Sequence, residues 1–304
     1  NNRLSIDLAW YNKKTTDDIL PVTISPTSGY TGNVVNIGEV RNRGIELLVT
    51  GTPYKSRDFS WTASFNIATN DNEVLALSPG AKDIVIGGAF PRWGNGVSIK
   101  NVVGLPFAQI TGYAYKRNDA GQIIYGDNGL PLHSDQVVSL GSAVYKTTGG
   151  FNNDLRYKSF TLSFLFDFKY GAKIYSGTNL LLYNNGLHKT TLQGRSGGYV
   201  GPGVDEDNKA NTVSVPSQIY FQAISTGASH VTEEFVYDAS FIKLRSISLT
   251  WQMPDAVLKN GFIKGVSLSL VGRNLATIMK HTPNIDPESN LNNTNGQGLE
   301  LSGY

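Results

Sequence analysis

The chain has 304 residues, among them 33 glycines, with 11% aromatic and 16% charged residues and a formal net charge of +2. That much apolar and aromatic material excludes a disordered chain, and balanced charge without a basic cluster excludes a nucleic-acid partner. The absence of cysteine removes a disulfide framework, thiolate metal sites and a Cys nucleophile together.

No window approaches the roughly 18 uninterrupted apolar residues of a spanning helix. Hydropathy misses barrel strands, however, because each gives only a weak alternating signal of about 10 residues. Asn1-Asn2-Arg3-Leu4 lacks the basic start, apolar run and cleavage site of a signal peptide, so a secreted chain of this kind is expected to be a fragment.

Period-two alternation runs along the chain. It begins with Leu4, Ile6, Leu8 and Trp10, and continues with Ile45, Leu47 and Val49 against Glu46, Leu48 and Thr50. Phe59, Trp61, Ala63, Phe65 and Ile67 then alternate with Ser60, Thr62, Ser64 and Asn66. The clearest case is Phe160, Leu162, Phe164, Phe166, Phe168 and Tyr170 against Thr161, Ser163, Leu165, Asp167 and Lys169. Over residues 241–251 the apolar set changes parity, from Ile242 and Leu244 to Ile247, Leu249 and Trp251. That shift predicts a bulge at Arg245 or Ser246. Leu268 and Leu270 against Ser267 and Ser269 close the series, giving about eight strands and no comparable helical stripe.

Residues 53–58 and Lys158-Ser159 read as tight turns, whereas residues 78–96 and 171–229 read as long polar loops without structure of their own. A compact soluble domain seldom carries such loops. Outer-membrane barrels combine tight periplasmic turns with long extracellular loops, so the fold class predicted is all-β, an antiparallel transmembrane barrel. No fixed-period repeat and no domain linker is visible.

Several motifs follow one another in order. Asn36, Gly38, Asn42, Gly44 and Glu46 form an N-x-G-x-x-x-N-x-G-x-E pattern. Gly104-Leu105-Pro106 precedes Gly112-Tyr113, and Thr148-Gly149-Gly150-Phe151 opens a strand. Asp238-Ala239-Ser240-Phe241-Ile242-Lys243-Leu244-Arg245 is followed by Gly272-Arg273-Asn274-Leu275 and by Asp286-Pro287-Glu288. Together they resemble the SusC/RagA family of TonB-dependent receptors over nearly the whole chain. One departure is Ala143-Val144-Tyr145-Lys146, where the family has a proline ahead of T-G-G-F.

The resemblance implies that residues 1–304 are a C-terminal portion of a barrel of about 22 strands, a size class that leaves a plugged lumen. The plug, the N-terminal extension and the last strand are expected to lie outside them. It implies a bacterial outer-membrane protein that imports oligosaccharide or peptide cargo, glycan first, and catalyses no reaction. The implied partners are a SusD-like surface lipoprotein, outer-membrane lipid, and the TonB complex acting through the missing N-terminal part. No cofactor is expected.

Gly38, Asn42 and Gly44 have a structural reading, as residues that tolerate left-handed or close-approach backbone where strand meets turn. Lys243, Arg245 and Arg273 are expected to pair with carboxylates inside the barrel, since a charge facing lipid at mid-depth costs about 2–4 kcal/mol. Trp10, Trp61 and Trp251 suit interfacial girdles. Trp93, in the loop Arg92-Trp93-Gly94-Asn95-Gly96, is a candidate ligand contact by stacking on a sugar, against simple loop packing. Asp205, Glu206 and Asp207 carry oxygen ligands of the kind calcium prefers but lack EF-hand spacing, so a solvated charge run is the first reading and calcium the lesser alternative. His133, His188, His230 and His281 show no short ligand spacing, which leaves zinc unsupported. Neither a nucleophile elbow nor a phosphate loop is present. The rival readings are an extracellular carbohydrate-binding β-sandwich or propeller and a passive porin.

Overall fold

The computed structural model describes residues 3–23, 32–77, 80–87, 97–227, 229–254, 265–289 and 299–300, with backbone alone for 17–23, 32–37 and 299–300. In chain order the strands are β1 (Leu4–Thr23), β2 (Gly32–Lys55), β3 (Phe59–Ala76), β4 (Asp83–Gly87), β5 (Ser98–Val102), β6 (Gln109–Gly112) and β7 (Val138–Ser142). They continue with β8 (Thr147–Tyr157), β9 (Phe160–Tyr170), β10 (Lys173–Ser176), β11 (Val236–Asp238), β12 (Phe241–Gln252), β13 (Ser267–Lys280) and β14 (Leu299–Glu300). Two helices, α1 (Gly177–Asn184) and α2 (Ser217–Ser225), and two 3-10 turns, Lys189–Leu192 and Thr232–Phe235, lie between β10 and β11.

Seven strands form one antiparallel sheet in the order β1-β2-β3-β8-β9-β12-β13. Sequential strands therefore stay neighbours once the excursions after β3 and β9 are set aside. The turns at Ser56 to Asp58 and at Lys158-Ser159 lie at one end, the second with Lys158 at φ 52°. The first is shorter than the sequence suggests, because β2 keeps its ladder through Tyr54 and Lys55. The excursions after β3 and after β9 both leave from the opposite end.

The register carries one apolar face across all seven strands. Leu8 faces Leu47, Leu47 faces Ile67, Phe151 faces both Phe65 and Phe166, and Leu249 lies between Leu162 and Leu270. This face is uncovered: Trp10 is 72% and Leu270 76% exposed. A sandwich or propeller would bury such a face, whereas a barrel turns it to lipid. Asn153 stands among these apolar residues, and there it is buried and accepts from Trp61 Nε1 at 3.0 Å.

Aromatic rings border the band. At the short-turn end Phe59, Tyr157, Phe160 and Trp251 follow one another across the ladder, with Tyr54 against Trp61. Trp10 and Tyr170 mark the other border, joined through Ile45, Thr69 and Thr147. Ten residue steps separate the two rows along β9; at about 3.3 Å each and a tilt near 40° they give a height of roughly 25 Å. The three expected girdle tryptophans thus occupy the two borders of an apolar band of membrane thickness.

The parity change in β12 is a bulge. Both neighbouring ladders shift register between Leu244 and Ser246, so Arg245 is the extra residue. Lys243, Arg245 and Ser246 then share the inner face, while Leu244 and Ile247 point out toward Phe166 and Phe164.

Residues 78–96 and 171–229 depart from the expectation of unstructured loops. The first contains β4, which joins β5, β6 and β7 further along the excursion after β3 in a four-stranded sheet, and the second contains β10 and both helices, with β10 pairing to β11 beyond it. Side chains from both excursions, among them Ile99, Ile110, Tyr125, Tyr175, Phe221 and Phe235, form the main buried core. The wall has its apolar side chains turned outward, so the core of this chain sits in the cap. The helices escape a search by periodicity because eight or nine residues give barely two turns. Ser176 caps α1 by accepting from the Asn179 N–H at 3.1 Å.

Candidate functional site

The family-like motifs fall at the joints between wall and cap. Gly38 and Gly44 lie within β2, not where strand meets turn, and neither has a left-handed backbone. Their role is close approach: a Cβ on Gly44 would meet the Thr69 carbonyl at 2.0 Å and the Tyr11 hydroxyl at 2.6 Å. Beside it Tyr11 donates to Asn70, whose amide donates to Asn42 at 3.0 Å, a polar chain on the inner face. Glu46 shares that face, opposite Ala9 and Ala68. The Asn36 backbone pairs with Ile19, and its side chain lies outside the described residues.

Gly104, at φ 83°, turns the chain so that its N–H donates to the Val74 carbonyl while Val74 N–H donates to Leu105. The turn before Pro106 is thereby fastened to the top of β3. Gly112 fits tightly against the second excursion, since a Cβ there would stand 2.4 Å from Thr232. Tyr113 N–H donates to Thr232 Oγ1 at 3.1 Å, and Glu233 N–H returns to the Tyr113 carbonyl. Gly149 and Gly150 stand in β8, where a Cβ on Gly149 would strike the Phe168 ring. Phe151 belongs to the outer apolar face.

Acidic residues not singled out in the sequence complete this clasp. Glu233 accepts from Tyr115 N–H at 2.8 Å and from both terminal nitrogens of Arg117 at 2.9 and 2.7 Å. Glu234 accepts from the Tyr115 and Tyr183 hydroxyls at 2.8 and 3.0 Å. Burial raises the Glu234 carboxyl above its ordinary range, against the lowering effect of the two tyrosines. Partners 51 to 119 residues away leave no local signal for such a clasp.

At the top of the inner wall the ASFIKLR and DPE motifs meet. Ser240 Oγ accepts from Gly171 N–H at 3.2 Å, and Phe241 is fully buried with the Tyr145 ring edge-on at 6.0 Å. Lys243 donates to both Asp286 oxygens at 2.6 and 2.9 Å and to Glu288 at 2.9 Å. Lys169 reaches the other Glu288 oxygen at 3.1 Å, and Arg245 joins Asp167, Glu288 and Asn274. Burial would raise the Glu288 carboxyl, but hydrogen bonds from Arg245, Lys243 and Lys169 hold it at about 2. The Tyr145 hydroxyl donates to the Pro287 carbonyl at 3.2 Å, so the segment that departs from the family pattern serves the same joint.

Lys243 and Arg245 are thus paired with carboxylates as expected. Arg273, on β13, has no carboxylate in ion-pair range among the described residues, and the expectation fails for it there. Gly272 faces Ile247 with Leu275 packed over it, while Asn274 takes φ 51°. Leu244 faces outward.

Trp93 lies outside the described residues. In the acidic loop Asp205 Oδ1 accepts from the Asp207 and Lys209 N–H groups, and the Asp207 carboxylate pairs with Lys209 at 3.2 Å, as a solvated turn would. Among the described residues no group of three or more His, Asp or Glu is arranged around a metal position. His133 and His230, far apart in sequence, do meet, each against the Tyr113 ring at 4.6 and 5.0 Å. The cap also holds a groove of about 990 Å³ between the end of α1 and the start of α2.

No family model matches the chain. TonB-dependent receptor P3 of Formosa agariphila is 27% identical, with all of this chain and 31% of the relative covered. TonB-dependent receptor SusC of Bacteroides thetaiotaomicron is 24% identical, covering 95% of this chain and 28% of the relative. Among solved structures, the RagAB peptide importer in its closed-closed state superposes with a TM-score of 0.68 at 23% identity, over 98% of this chain and 32% of that chain. The RagAB peptide transporter gives 0.67 at 24% identity, over 94% and 31%. The chain spans about a third of the length of the curated relatives it matches. With an exposed apolar band on the wall and motifs fastening wall to cap, the chain is similar over its length to TonB-dependent receptors of the SusC/RagA type, and its fold is that of part of an outer-membrane β-barrel.

Proposed function

We propose that the intact protein imports oligomeric nutrients across the outer membrane by TonB-dependent transport, with glycan as the first cargo class and peptide as the second. Residues 1–304 supply the C-terminal part of its barrel, and a SusD-like surface lipoprotein closes over the mouth. The observation that carries this reading is the wall itself: an uncovered apolar face about 25 Å tall outside, a polar face within, and a folded cap at the end away from the tight turns. Curated relatives named TonB-dependent receptor and SusC support the import class. A RagAB neighbour described as a peptide importer keeps peptide as the second cargo. No covalent chemistry is required of the residues described.

In this reading the D-P-E joint holds the segment after β13 against the inner wall. The two clasped excursions form a cap over the mouth, a place where cargo and lipoprotein meet the barrel. The test is uptake by cells carrying the full-length protein, fed labelled oligosaccharides or peptides with and without an uncoupler that collapses the proton-motive force. Uncoupler-sensitive uptake of oligosaccharide is expected. Uptake indifferent to the uncoupler makes the protein a passive porin, and uptake of peptides alone reverses the order of cargo.

A further inference from the structure

We propose that the groove between α1 and α2 is a binding subsite for an acidic sugar, carrying carboxylate or sulfate; this rests on the glycan-import reading above. At about 990 Å³ it is at the upper end of the range typical of ligand pockets. Its polar lining is chemically narrow: the amides of Asn184, Asn185, Gln218 and Gln222, a few small hydroxyl residues, and the guanidinium of Arg195, with no Asp or Glu. Planar amides offer paired donors and acceptors that suit sugar hydroxyls.

Arg195 is set in place by the backbone and not by an acid. Its Nε donates to the Thr191 carbonyl at 3.1 Å, and Nη2 reaches the Gly186 carbonyl and Thr191 Oγ1. Among the described residues no carboxylate neutralises it, in contrast to Arg117 and Arg245, which are both ion-paired. Neutral acceptors thus hold a full positive charge at the groove wall, with Nη1 left to an incoming anion. The first turn of α2 opens on the same groove, and its N-cap, Pro216, makes no side-chain cap, so the positive end of the helix adds to that field. A peptide fits this lining less well, because its terminal ammonium would find no carboxylate there.

The test uses the purified full-length transporter in detergent, with an oligogalacturonate hexamer and its fully methyl-esterified form as probes, read by calorimetry. The two share the same sugar backbone and differ in carboxyl charge, with one added methyl group on each ester. The wild type is expected to bind the acid at least tenfold more tightly than the ester, with the preference shrinking as salt rises. Arg195→Gln should bring the two within about twofold, by weakening binding of the acid far more than that of the ester. Equal binding of acid and ester by the wild type, or a preference insensitive to salt, overturns the subsite whatever the variant does. Binding of a peptide mixture but of neither sugar overturns instead the glycan reading beneath it.

Discussion

Replacing Glu288 with Gln keeps the shape of the side chain and removes the charge on which three cations converge. Glu288 is 22% exposed and accepts from Lys169, Lys243 and Arg245, of which Lys243 is itself only 7% exposed. Burial opposes ionisation, yet the three donors bring its pKa from 4.5 to about 2. At about 1.4 kcal/mol per pH unit, that depression is worth roughly 3 kcal/mol for docking residues 281–289 on the wall. The lower value belongs to the folded state, so the contribution is complete above about pH 4.5 and is lost as pH falls toward 2. The readout is amide hydrogen exchange in the intact transporter, at Glu288 and Ser289, whose N–H groups donate to Asp286 at 2.8 and 3.0 Å. At neutral pH the E288Q variant should exchange there about a hundredfold faster, while amides of β9 remain protected. Unchanged exchange, or an equal acceleration throughout β9, would mean that the Glu288 charge does not hold this segment to the wall.

Gly112→Ala pushes a methyl group into Thr232 and should cost the cap about 1–3 kcal/mol, seen as faster proteolysis within residues 171–240. Phe164→Arg places a charge at mid-height of the outer face and should cost about 2–4 kcal/mol in a bilayer unfolding titration, whereas Ser163→Arg on the inner face should be tolerated. Glu234 has the opposite sign to Glu288. Its folded pKa is raised, so it contributes stability at pH values below its unfolded value, and that contribution is lost as pH rises through the folded one. Exchange protection of the Thr232–Phe235 turn should therefore increase on acidification from pH 7 toward 5 in the wild type and stay flat in Glu234→Gln.

The wall could be read from the order of residues. Alternation in a strand depends only on neighbours two residues apart, so the apolar face, its aromatic ends and the bulge at Arg245 were all legible without knowing which strand pairs with which. The motifs marked the joints in the same way, because glycine at positions 44 and 112 answers to contacts too close for any Cβ. What those motifs hold follows from contacts between distant parts of the chain. Lys243 and Asp286 are 43 positions apart, and Tyr115 and Glu234 are 119. An ion pair or a tyrosine clasp of that reach is created by the return of the chain, and no window of sequence contains both partners. The long polar excursions likewise conceal a cap, since its core is assembled from single buried residues contributed by two segments, each too short or too irregular to show a period of its own.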